Sequence, residues 1–182
     1  SEDTPLDFTD IVVSDVDSAN VTVTLALSAP AAGSLNTATS GAVTSTYNAA
    51  TGVWQASGAV ADLNALLASL TLTPALDHNA GFTIATRVDD GVAAAITGVK
   101  NMTGSAVNDA PVNSVSGSQS TPQDTPLKFD AINGNRISVG DVDASAGQVE
   151  VTLGVTNGSL TLKCPSRTAG PTCGAVPGQS AT

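Results

Sequence analysis

The apolar positions of this chain recur mostly every second residue. In residues 21–27, VTVTLAL, Val21, Val23, Leu25 and Leu27 fall on one face and Thr22 and Thr24 on the other, the alternation of a half-buried strand. Residues 149–155, VEVTLGV, repeat it with Val149, Val151, Leu153 and Val155, and Phe82, Ile84 and Val88 alternate with Thr83, Ala85 and Arg87. Gly, Pro, Ser and Thr interrupt the pattern about every ten residues, the spacing of short strands joined by turns. The pattern predicts antiparallel strands of a β-sandwich. One stretch departs from it. In residues 57–70, SGAVADLNALLASL, Val60, Leu63, Leu67 and Leu70 follow a helical spacing with Ser57 as a cap, which predicts one short helix on the sandwich edge, ended before Pro74.

The chain also repeats itself. Glu2-Asp3-Thr4-Pro5-Leu6 returns as Gln123-Asp124-Thr125-Pro126-Leu127, the phrase ending Ser14-Asp15-Val16-Asp17 returns as Gly140-Asp141-Val142-Asp143, and Gly33-Ser34-Leu35 returns as Gly158-Ser159-Leu160. Landmarks in one order at similar spacings mark a repeat of about 121 residues, counted from Asp3 to Asp124. Residues 1–109 are expected to form one complete repeat and residues 110–182 the N-terminal half of a second.

Composition narrows the chemistry. Hydrophobic residues make up 41% of the 182, but aromatics only 3%, so the core must be built from Val, Leu, Ile and Ala. The net charge is −10, and 14 of the 16 acidic residues are Asp, a loop former and a compact oxygen ligand. No basic stripe is present to neutralise phosphates, so a nucleic-acid partner is not expected. No apolar run reaches the roughly 18 residues of a membrane span, and Ser1 begins no signal peptide. The chain is therefore expected to be soluble, and either processed or excerpted.

Two carboxylates one residue apart repel each other unless water screens them or a cation joins them. The pairs Asp15/Asp17 and Asp141/Asp143 raise that question twice, although Asp in turns also serves in caps and Asx turns. Other chemistry finds little support. His78, the one histidine, lies in LDHNAG without a nucleophile nearby and reads as a turn residue. There is no HExxH, nucleotide-binding glycine loop, EF-hand spacing or glycine-rich calcium nonapeptide, and the chain is not expected to be an enzyme. Trp54 and Tyr47 read as hairpin packing, with a sugar platform as the alternative. Cys164 and Cys173 bracket a Pro/Gly-rich segment and suit a disulfide in an oxidising compartment, the alternatives being free thiols or a metal pair. Closing so short a loop would contribute about 2–3 kcal/mol.

The order Glu2-Asp3-Thr4-Pro5, VVSDVD, TRVDDG at 86–91 and AVNDAPV at 106–112 resembles the landmarks of the cadherin repeat. More closely, the chain is similar to the cadherin-like tandem domains of large bacterial secreted adhesins, in which phrases like ADLNALLASLTLTP and NDAP recur. The resemblance covers essentially the whole chain. It implies an all-β fold, a seven-stranded Greek-key, Ig-like sandwich, with Ca²⁺ at the joints between consecutive repeats. Two departures stand out: Gln123 replaces the Glu of the first repeat, and the linker lacks the second Asn of the cadherin phrase.

Ca²⁺ takes six to eight oxygens, more than one Asp-Val-Asp loop supplies, so ligands must converge from several loops. In an antiparallel sandwich, turns at one end would bring Asp15 and Asp17 beside Asp89 and Asp90. At the other, Glu2 and Asp77 would approach Asn108 and Asp109, with Asp141 and Asp143 facing them from the next repeat. The expected function is that of an extracellular or bacterial-surface module, structural or adhesive and stiffened by calcium. Its partners would be adjacent repeats or neighbouring copies, with a cell-surface or glycan target. Two alternatives stand beside it, a carbohydrate-binding sandwich and the subunit of a self-assembled filament. The second repeat stops before any counterpart of ADLNALLASL or FTIATRV, and taken alone would expose Val149, Val151, Leu153 and Val155. The chain is then either an excerpt of a longer array or completed by strand addition from a neighbouring copy.

Overall fold

The computed structural model describes residues 1–144 and 147–162. The chain divides into two units, Ser1–Asn108 and Asp109–Thr182. In order, the strands are β1 (Leu6–Asp7), β2 (Asn20–Leu27), β3 (Gly33–Leu35), β4 (Thr39–Ser40), β5 (Val43–Thr44), β6 (Thr46–Asn48), β7 (Val53–Ala59), β8 (Thr71–Pro74), β9 (Phe82–Asp89), β10 (Ile96–Met102), β11 (Val112–Ser114) and β12 (Ser138–Gly140). One helix, α1 (Val60–Ala68), lies between β7 and β8. The protein is all-β, with every strand pair antiparallel.

The first unit is organised around β2. Its alternation holds: Val21, Val23, Leu25 and Leu27 are buried and the residues between them are not. β2 pairs on one side with β7, from Asn20 opposite Ala59 to Ala26 opposite Val53, and on the other with β9, from Thr22 opposite Asp89 to Leu27 opposite Ile84. With β10 and β6 outside these, the sheet runs β10-β9-β2-β7-β6. A three-stranded sheet, β1-β8-β3, contributes Leu35 and Leu72 to the same core. The hairpin between β6 and β7 turns through Asn48, whose side chain accepts from the Ala50 N–H (3.0 Å), and closes at Gly52, whose φ of 67° favours glycine.

The helix forms where expected but starts later than its sequence suggests. Ser57 belongs to β7, opposite Thr22, and its hydroxyl meets that of Thr22 at 3.0 Å instead of capping the helix. Pairing with β2 holds the chain extended as far as Ala59, so α1 begins at Val60 with an extended Ala59 as its cap. Its buried face carries Leu63, Leu66 and Leu67, and Leu70 follows into the core.

Two asparagines stand in for missing strand partners. Asn64 of α1 accepts from the Val13 N–H and donates to the Val13 carbonyl, both at 2.9 Å, and Asn36 likewise accepts from Thr71 N–H (2.8 Å) and donates to Ser69 O (3.0 Å). Val13 is in the core and Asn36 is exposed.

The second unit carries less regular structure. Among its described residues, the one sheet is β11 with β12, Val112 opposite Gly140 and Ser114 opposite Ser138. Residues 149–155, predicted as a strand, join no sheet, and Val149, Val151, Leu153 and Val155 are 40–51% exposed, against 0–4% for Val21, Val23, Leu25 and Leu27. In the first unit the corresponding strand is flanked by β7 and β9. Cys164 and Cys173 lie outside the described residues.

Asn64→Ala removes the partner of two backbone groups at a buried position, so it should destabilise the first unit by about 1–3 kcal/mol. The same change at exposed Asn36 should cost less. Urea unfolding followed by the fluorescence of buried Trp54 measures both.

Candidate functional site

The Asp-Val-Asp phrases fold into the same turn in both units. Asp15 Oδ1 accepts from the N–H groups of Asp17 (3.1 Å) and Ser18 (2.7 Å), and Asp141 Oδ1 accepts from those of Asp143 and Ala144 (both 3.0 Å). Each is an Asx turn, in which the first carboxylate replaces a backbone acceptor. Of the second carboxylates, Asp17 is exposed and Asp143 partly buried. In the second unit Asp143 Oδ2 accepts from the Asp109 N–H at 2.6 Å.

At one end of the first unit, this loop leads into β2 while Asp90 follows the end of β9, and the antiparallel register of β2 and β9 sets the two side by side. Asp90 forms a third turn of the same kind, accepting from Val92 N–H (3.0 Å) and Ala93 N–H (2.9 Å), and its other oxygen accepts from the Ser18 hydroxyl at 3.2 Å. Carboxylate oxygens of Asp15, Asp17 and Asp90 lie within 4.8 Å of one another. Asp89 does not join them. As the last residue of β9 it pairs with Arg87, two positions back on the same strand face, and accepts from the Gly91 N–H at 2.8 Å.

Asp3 and Asp77 come together elsewhere in that unit, and Glu2 is held separately. Glu2 donates its N–H to Ser105 O (3.0 Å), and Glu2 Oε1 accepts from Val107 N–H (2.7 Å), which ties the chain start to the segment after β10. Glu2 is only 2% exposed, and its Oε2 is buried with no hydrogen-bond partner among the described residues. Asp3 Oδ1 accepts weakly from the Asp77 N–H at 3.4 Å, and the two side chains bring carboxylate oxygens within 4.8 Å. Asp3 was not among the sequence candidates. Its signal lies in the repeat, because Asp3 and Asp124 share a left-handed backbone with φ 59° in both, and Asp77 adopts φ 56°. Asn108 closes the first unit and Asp109 opens the second.

Hydrogen bonds set the acidity of two of these groups. The Gly91 N–H, followed by the Arg87 guanidinium, holds Asp89 below the ordinary carboxylate value, and the N–H groups of Val92 and Ala93 do so for Asp90. Burial raises the Tyr47 phenol, whose hydroxyl donates to Gly33 O at 3.1 Å.

Of the aromatic pair, Trp54 is buried and Tyr47 half-buried. Trp54 is in the core opposite Tyr47, and its indole N–H donates to Asn36 O at 3.0 Å. His78 sits after a turn, its N–H on Ala75 O (3.1 Å) and its ring edge towards Phe82. No described helix is long and apolar enough to cross a membrane. Comparison with protein-family profiles, curated proteins and solved structures finds no match to this chain.

Asp89 and Asp90 have folded-state values below their unfolded ones, so their contribution to stability is present above about pH 4 and is lost as pH falls through the lower folded values. In chelator, the thermal midpoint should hold from pH 7 to about 5 and drop below about pH 4. Asp90→Asn should flatten that drop, which a pH series of thermal melts resolves.

Proposed function

We propose that this chain is a calcium-binding structural or adhesive repeat module of a bacterial surface or secreted protein, a cadherin-like Greek-key sandwich acting outside the cell and not an enzyme. The observation that carries the reading is the Glu2 carboxylate. It is buried at 2% exposure, holds one backbone N–H, and keeps Oε2 without a partner among the described residues. A buried carboxylate oxygen left unpaired is costly, and a cation satisfies it. The hard oxygen donors around the loops favour Ca²⁺ over a transition metal, since no described cysteine or histidine is grouped with them.

In the first unit Asp15, Asp17 and Asp90 would hold one ion as a group, Asp3 and Asp77 would supply paired donors for another, and Glu2 would offer its unpaired buried oxygen. In the second, Asp141 and Asp143 repeat the turn of Asp15 and Asp17 and supply the same donors. Bound there, Ca²⁺ would draw like charges together and rigidify loop ends that otherwise depend on short Asx turns. That role suits a chain whose net charge is −10. Outside cells, weak affinity on the order of 10⁻⁴–10⁻³ M suffices because calcium is plentiful there.

The filament reading is favoured by a different observation, the exposed apolar alternation of residues 149–155. The carbohydrate reading loses its platform with the burial of Trp54.

Calcium should raise the thermal midpoint of the chain relative to chelator. Glu2→Gln and the double change Asp15→Asn with Asp17→Asn should each reduce that rise and leave the midpoint in chelator nearly unchanged or higher, because removing uncompensated negative charge relieves repulsion. Identical melts of the parent protein in calcium and chelator would sink the reading.

A further inference from the structure

We draw no further inference here: the strongest candidate, the shallow depression lined by Thr24, Ala26, Ala85, Arg87, Thr97 and Val99 on the solvent-facing side of strands β2, β9 and β10, carries nothing because nothing in the structure shows what covers it.

Discussion

Everything in the first unit depends on β2 having a neighbour on each side. Its four aliphatic side chains reach the core only because β7 and β9 fix its register, and a slip of one residue would turn all four to solvent. The same demand moves the start of α1, since β7 must stay extended to Ala59 to match Asn20, and it aligns the loop before β2 with the residues after β9. The grouping of Asp15, Asp17 and Asp90 is therefore a by-product of sheet register. Residues 149–155 have the same alternation, yet among the described residues they join no sheet and their apolar residues are exposed. Alternation is a statement about which face a strand would bury, and burial needs the partner strands.

Much of this was legible in the chain. The all-β class, the strand faces at 21–27 and 82–88, the helix and its leucines, and the packing of Trp54 against the hairpin all follow from periodicity, because side-chain period and burial are locally coupled. What was not legible depended on pairing. Ser57 reads as a helix cap until its place opposite Thr22 is known, and Asp89 reads as one of a pair with Asp90 until the strand face turns it to Arg87. Asn36 and Asn64 look like ordinary polar residues, and only the fold reveals that each closes a gap in the backbone hydrogen bonding. Asp3 was missed because a left-handed aspartate has no composition signal, although its repetition at Asp124 was on view.

The acidic turns and the β2 strand differ in the range of the contacts that form them. Asp141 meets N–H groups two and three residues ahead, so its turn needs nothing from the rest of the molecule. β2 draws its partners from residues 27 or more positions away, from Ala26 opposite Val53 to Thr22 opposite Asp89, and such contacts form only when intervening chain is ordered. The repeat therefore encodes its oxygen-bearing turns locally and its core non-locally. A segment such as Val12–Ser14 combines the two: Val13 is held by a distant helix through Asn64, beside a turn that forms without help.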